Sequence, residues 1–504
     1  MTLMTPDIVI IGSGMGGATL AAGLAGSGAR VLILEKGRQL ADRPENRDPR
    51  AIFQRGHFRP REQWYDAEAG DAPFNPGNYY YVGGNSKFYG AVLIRYRAED
   101  FEAMEHDGGV SPAWPIPYAE MEPWYSRAEQ LYRVRGELGD DDTEPYHSQP
   151  YPFAAIKDEP ALAKVRARLA KVGLHPASLP LGVDIDQWLK KAKTPWDAFP
   201  DARTGKMDAE TCGLATALAD PNITIETGAE VTRLVAGPDG RIASVVYVQD
   251  GETKTLSPKI VVLSTGAVKS AAMLLASKSA AFPNGLANGS DVVGRYFMSH
   301  NMTAMIAVDP RFTNDAIHQK TFGFNDFYLT DGKGGKPLGN MQLLGRVSGA
   351  ILKANVRFAP EWALSLLSRH SVDFLAMNED LPDRDSRIRV DGDRVIMQWK
   401  RSNMEAHWKL VRVMKERFHA AGFPLVLTHH FDGRTPSHQC GTIRFGTDPA
   451  TSALDIWCRA HDHSNLFVVD ASFLPTSAAV NPALTIAAQA LRTADHMIAT
   501  GFAA

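Results

Sequence analysis

Six residues, Gly12 to Gly17 (GSGMGG), follow directly on an apolar, β-branched run, Asp7 to Ile11 (DIVII), and no other feature limits the fold so tightly. The run is short enough for a buried parallel strand. Within the turn, Gly12 permits a sharp exit from the strand, Gly14 lets backbone approach a pyrophosphate, and Gly17 lets the next helix pack closely on the sheet. Ala18 to Ala25 reads as that helix, ended by Gly28. Val31 to Leu34 is the next buried strand and closes at Glu35, a carboxylate placed to accept hydrogen bonds from ribose hydroxyls. Ser13 belongs to the same turn and Lys36 follows Glu35. The first 37 residues therefore predict a βαβ unit that holds a dinucleotide at a helix N-terminus. The turn alone does not separate FAD from NAD.

A chain of 504 residues exceeds one compact core, so a second domain is expected. Lys and Arg are scattered without a basic block, the net charge is −3, and nothing predicts nucleic-acid binding. No run of about 18 apolar residues appears, so no membrane span is expected. The N-terminus carries no secretion pattern, and the three cysteines are too few for a disulfide framework. A cytoplasmic location is the expectation.

Residues 45–80 are rich in Pro, Gly and charge and read as a long loop, a candidate lid. Trp114 to Tyr125 leads into a helix. Ile223 to Glu226 and Val231 to Val235 are strand-like. Ile242 to Val248 and Lys259 to Leu263 flank an Asp250-Gly251 turn and suggest a hairpin. Ala267 to Ala276 reads as a helix, residues 302–400 as β-rich, and Asn403 to Ala421 as a helix by its Leu410, Val413, Met414 and Phe418 period. The fold expected is α/β: a Rossmann-like cofactor domain (1–100, 205–305 and 435–504) with an inserted α+β substrate domain on an antiparallel sheet (101–204 and 306–434).

Three C-terminal segments carry further information: His438 to Gly446 (HQCGTIRFG), Asn465 to Pro475 (NLFVVDASFLP) and Asn481 to Ala488 (NPALTIAA). Gly83 to Ala91 (GGNSKFYGA) with Arg95 and Asp100-Phe101, Ser264 to Ala267 (STGA), and Val293 to His300 (VGRYFMSH) accompany them. With GSGMGG, this set resembles the glucose–methanol–choline (GMC) oxidoreductases, closest to the pyranose oxidase and sugar 3-oxidase members. The resemblance spans the cofactor segments and is weak across 101–204 and 306–430.

The resemblance implies FAD, and oxidation of an alcohol to a carbonyl. Such a reaction removes a hydride from C–H and a proton from O–H, and histidine suits the proton's removal near neutral pH. His438 is the expected base and Asn481 its partner on the substrate oxygen. The cofactor-binding residues implied are Gly12, Ser13, Gly14, Gly17, Glu35, Lys36, Gly84, Asn85, Ser86, Gly90, Ala91, Val231, Thr265, Gly266, Asp470, Ala471, Pro482 and Thr485. Asp470 would lie by the ribityl–pyrophosphate region, although it could also cap its own turn. His300 reads as structural support. Cys440 reads as a small buried residue. His429-His430 and His461-x-His463 lack companion ligands, so no metal is expected.

Phe88 stands where some pyranose oxidases carry the histidine that attaches FAD, so the expected FAD is non-covalent. The expected substrate is a secondary hydroxyl, C3 or C2, of a pyranose sugar or glycoside. Oxygen, a quinone or a redox protein would accept the electrons. Tyr79-Tyr80-Tyr81 and Trp64-Tyr65 could stack on sugar rings or belong to the core. Two alternatives stay open: a sterol or other apolar-alcohol oxidase, and a non-catalytic flavin-binding or electron-transfer subunit.

Overall fold

A computed structural model describes residues 6–356 and 358–503. Its centre is a five-stranded parallel sheet in the order Ile223–Thr227, Val31–Glu35, Ile8–Ile11, Ile260–Leu263, Leu466–Val468. The four residues of Ile8–Ile11 and the four of Ile260–Leu263 are all buried, as strands covered on both faces must be. The helix Met15–Leu24 starts earlier than Ala18 and already ends at Leu24. It packs on the C-terminal helix Ala483–Ala499, so closely that a Cβ on Gly23 would lie 2.7 Å from the Ala494 Cβ.

The Asp250-Gly251 turn does join a hairpin, but its second strand is Glu252–Leu256, not Lys259 to Leu263. Ile260–Leu263 instead enters the parallel sheet beside Ile8–Ile11. The polar run ETKTL hides a strand because one face of that meander is in water, whereas IVVL is apolar enough for the centre.

A six-stranded antiparallel sheet forms the second body, in the order Leu425–His430, Asn301–Val308, Ser371–Asn378, Asn340–Leu343, Phe322–Phe324, Ala177–Ser178. The helix Met404–Ala420 packs Leu410, Met414 and Phe418 onto it, and Pro160–Ala170 adds Leu162, Val165 and Leu169. Two helices, Gly349–Asn355 and Glu361–Arg369, interrupt the stretch expected to be β-rich. Ser348 caps the first by accepting from the Ile351 N–H, a start signal present in the sequence.

Residues 45–80 are not one long loop. Trp64–Asp66 and Ala72–Phe74 form strands in a four-stranded sheet with Arg387–Asp391 and Arg394–Gln398. Trp64–Asp66 pairs with Val395 to Met397, far along the chain and beyond any local pattern, and Ala72–Phe74 pairs in turn with Trp64–Asp66 at the sheet edge. Trp64 is fully buried against Phe74 and belongs to the core. Tyr79 stacks on Phe88 at 3.6 Å.

Candidate active site

The nucleotide turn has the geometry its glycines predict. Gly12 sits at φ 101°, and a Cβ there would lie 2.3 Å from the Ser264 carbonyl oxygen. At Gly14 a Cβ would meet nothing within 4 Å, so the backbone of the helix N-terminus faces open space. That is the shape a pyrophosphate needs, and the aligned N–H groups supply partial positive charge. Glu35 is buried and accepts from Ser13 N at 2.9 Å, Ser13 Oγ at 2.7 Å and Gly37 N at 2.7 Å. A carboxylate has about four acceptor positions, so capacity remains for a ribose hydroxyl. Burial pushes its pKa up, opposed by these hydrogen bonds.

The glycine-rich segment lies against this turn. Gly83 N donates to Ser13 Oγ at 3.0 Å, and a Cβ on Gly84 would lie 3.3 Å from Gly14 Cα. Ser86 is buried, donating to the Gly83 carbonyl at 2.6 Å and accepting from Ala209 N at 3.1 Å. Asn85 is exposed and accepts from Tyr79 N at 2.8 Å. At Gly90 a Cβ would fall 2.4 Å from Lys320 Nζ and 2.7 Å from Asp197 Oδ2, and Ala91 follows at φ 57°.

Asp470 caps its own turn and also reaches across to a neighbouring one. It caps its own turn through Ser472 N at 2.9 Å, and it also accepts from Gly266 N at 3.0 Å and Ser270 Oγ at 2.5 Å. Thr265 shares Ser270 Oγ at 2.9 Å, so this carboxylate ties the Thr265-Gly266 turn to Ala471–Phe473. Burial pushes the Asp470 pKa up. Ala471 accepts from Gly441 N at 3.2 Å. Pro482 caps the helix Ala483–Ala499, and the Thr485 hydroxyl is occupied by Tyr125 OH at 2.7 Å, leaving its first-turn backbone for a ligand. Val231 lies in Ala229–Ala236 beside a register shift. Lys36 pairs with Glu230 at 2.6 Å and sits over the Tyr80 ring, so its charge is engaged away from the nucleotide turn.

His438 and Asn481, 43 residues apart, come together, with Nε2 and Nδ2 at 3.3 Å. An antiparallel bridge between Met298 and Cys440, whose backbones exchange hydrogen bonds of 3.0 and 2.9 Å, sets the His438 segment beside that of His300, whose ring in turn bonds the Ser477 and Ala478 carbonyls just ahead of Asn481. Two residues forward on one side and two back on the other puts His300 opposite His438, and their Nδ1 atoms lie 2.8 Å apart. Ser299 Oγ also donates to the Ser437 carbonyl. His438 adopts φ 59°, a left-handed conformation that costs a residue with a Cβ about 1–2 kcal/mol. Such strain persists where surrounding structure over-determines a residue, and it clusters at functional sites. The His438 pKa lies well below the ordinary histidine value, through burial first, then His300 and the Lys320 ammonium.

Sequence reasoning missed three neighbours. Gln342, buried in the middle of the six-stranded sheet, donates its Nε2 to Asn481 Oδ1 at 3.2 Å, while its own Oε1 is buried without a partner. Lys320 is buried and paired with Asp197 at 2.7 Å. None of the three falls in a motif, because they approach the site only through the packing of the second body. The other flagged histidines have structural partners: His430 bonds Thr303 and Arg401, His461 bonds Ser452, and His463 bonds Ala287 N and the Gly240 carbonyl. Cys440 is 1% exposed and burial pushes its thiol up. No helix among the described residues is long and apolar enough to cross a membrane.

The arrangement can do one kind of chemistry well. An imidazole nitrogen and an amide N–H, side by side, take the proton of a hydroxyl and hold its oxygen. The glycine-rich turns beside them fit a flavin dinucleotide, which when bound supplies the hydride acceptor.

Comparison with known proteins agrees. Residues 7–283 match the FAD dependent oxidoreductase family model, and residues 382–490 match the GMC oxidoreductase model. The chain is 28% identical to 6'''-hydroxyparomomycin C oxidase of Streptomyces lividus, over 98% of this chain and 92% of that protein. It is 27% identical to 2-methyl-1,2-propanediol dehydrogenase of Mycolicibacterium austroafricanum, over 97% and 95% respectively. Pyridoxine 4-oxidase from Mesorbium loti shares the fold, with a TM-score of 0.64 and 19% identity over 97% of this chain and 99% of that one. The chain thus belongs to the FAD-dependent oxidoreductases of the glucose–methanol–choline family, enzymes that act on alcohol groups.

Proposed function

We propose that this enzyme oxidises a secondary hydroxyl, C3 or C2, of a pyranose sugar or glycoside. His438 takes the hydroxyl proton, Asn481 holds the oxygen, and the hydride passes to non-covalently held FAD. The observation that carries this reading is the 3.3 Å His438–Asn481 pair on a strained backbone beside the glycine-rich turns. The non-covalent reading rests on Phe88, whose ring is stacked on Tyr79 and offers no nucleophile. Residues 1–100, 205–305 and 435–504 would hold the cofactor, and 101–204 with 306–434 would shape the substrate space. Gln342, with a buried oxygen awaiting a donor, suits a polyhydroxylated substrate better than an apolar one. Oxygen, a quinone or a redox protein would re-oxidise the flavin, and we retain the cytoplasm as the proposed location.

A base must be neutral to act, and a lowered pKa keeps it neutral further into acid. The acid limb of kcat/KM is therefore expected below pH 6.5, the ordinary histidine value. A limb at or above 6.5 would show that His438 is not the titrating group.

Product analysis tests the substrate. Incubation with glucose, methyl glycosides and sterols is expected to give a ring ketone, two hydrogens lighter, from a sugar. Conversion of sterols alone would overturn the sugar reading and leave the alcohol chemistry intact.

A further inference from the structure

His300 lies outside the pair that would meet the substrate, yet its hydrogen bonds determine what that pair can do. Its ring is 2% exposed. Nε2 faces two carbonyl oxygens, Ser477 at 2.9 Å and Ala478 at 3.0 Å. Carbonyls only accept, so this nitrogen must carry the hydrogen. The Ser477 oxygen's other lone pair takes Tyr96 OH at 3.0 Å. A neutral imidazole has one N–H, so His300 Nδ1 is left as an acceptor. The 2.8 Å contact between the two Nδ1 atoms then requires His438 Nδ1 to be the donor. His438 Nε2 consequently keeps its lone pair.

A second chain of hydrogen bonds reaches the same atom from the opposite side. Gln342 Nε2 donates to Asn481 Oδ1, which turns the Asn481 Nδ2 donor toward His438 Nε2. A donor there demands an acceptor on the histidine. Were His300 protonated, both of its nitrogens would donate. His438 Nδ1 would have to accept, and its Nε2 would present a hydrogen to the Asn481 N–H. The charged groups acting on the two rings are Glu379 on His300 and Lys320 on His438, and Asp380 holds Ser299 N at 3.2 Å beside them. Burial keeps the His300 pKa below the ordinary value, which favours its neutral form.

We propose that His300 is a positioning residue: clamped by the Ser477 and Ala478 carbonyls, it fixes His438 in the tautomer whose Nε2 keeps its lone pair, which Asn481 Nδ2 occupies at rest and to which an entering substrate hydroxyl would give its proton. This rests on His438 being the base. In the step itself the substrate O–H bond breaks and its proton goes to His438 Nε2. FAD, when bound, would supply the acceptor for the C–H hydride, and the carbonyl forms. His438 then carries hydrogens on both nitrogens and still donates Nδ1–H to His300, so the contact persists through the reaction without a second proton moving.

The test compares His300→Leu with His300→Asn, both loaded with FAD. Leu removes the acceptor. Asn keeps an oxygen near the position of Nδ1, able to accept from His438. Expected for His300→Leu is a kcat lower by about 10- to 100-fold, part of what a positioned base contributes, with KM changed by less than about 2-fold. His300→Asn is expected to return kcat to within about 5-fold of the unmodified enzyme. A His300→Leu kcat within about 2-fold, an Asn variant as slow as the Leu variant, or a change confined to KM would each overturn the proposal. Should His300→Leu fail to take up FAD, the unmodified enzyme labelled with ¹⁵N-histidine decides instead. His438, assigned through His438→Gln, should show a protonated Nδ1 and a bare Nε2, and the reverse tautomer would overturn the proposal. If His438→Gln itself keeps full activity, the base assignment has failed, and not merely its positioning.

Discussion

His438→Gln is expected to lower kcat by about 10²- to 10⁴-fold, the usual contribution of a positioned general base, while FAD stays bound. Glutamine is close in size and polar, and it also carries a Cβ, so the φ 59° position is no more strained than before. Its amide can accept a hydrogen bond from a hydroxyl, but it has no basic nitrogen to keep the proton. The flavin spectrum should therefore be unchanged at rest, with both steady-state turnover and the rate of flavin reduction by substrate reduced. The residual rate should also lose the acid limb expected below pH 6.5. A variant that turns over within about 5-fold of the parent would assign the base elsewhere, and no other imidazole faces Asn481 among the described residues.

Gly14→Val is expected to give a folded, colourless protein. Gly14 has φ −69°, which any residue adopts, and the space for a Cβ is open. Folding should therefore be intact by circular dichroism. The added side chain would occupy the space into which the helix N-terminus points, and would keep a pyrophosphate from its N–H groups. Losing roughly two hydrogen bonds to a charged group, at about 1.5–3 kcal/mol each, weakens FAD by about 100-fold or more. Gly12→Val makes the contrast. There a Cβ would strike the Ser264 carbonyl at φ 101°, so the strand–turn geometry itself should fail. If Gly14→Val binds FAD normally, the open space at Gly14 is not the pyrophosphate site.

The parts of this molecule that were legible in its sequence are those governed by short-range rules. The βαβ unit was visible because its apolar strands, glycine spacing and terminal carboxylate are contiguous, and the structure joins Ser13, Glu35 and Gly37 accordingly. The helices Ala267–Ala276 and Met404–Ala420 follow from their periodicity. Lys259 to Leu263 reads from sequence as a hairpin strand but belongs to the parallel sheet, because a turn signal shows that a hairpin exists but not which run completes it. The strand at Trp64 is hidden because its partner is distant, and Ala72–Phe74 because it is a 3-residue edge strand with Pro73 at its centre. The site shows the same division. His438 and Asn481 sit in recognisable motifs. His300 was visible only as support, and Gln342, Lys320 and Asp197 not at all, since only the Met298–Cys440 bridge and the six-stranded sheet bring them near.

One measurement bears most directly on the central claim, that alcohol oxidation takes place at a flavin held beside His438 and Asn481. The purified, FAD-loaded protein is mixed with a methyl glycoside in the absence of oxygen, and the yellow flavin absorbance is followed. The account predicts that the flavin bleaches with substrate, that His438→Gln bleaches at least about 100-fold more slowly, and that the product is a ketone. A flavin that stays yellow with every sugar, glycoside and simple alcohol offered, or one that bleaches equally fast in His438→Gln, would contradict it.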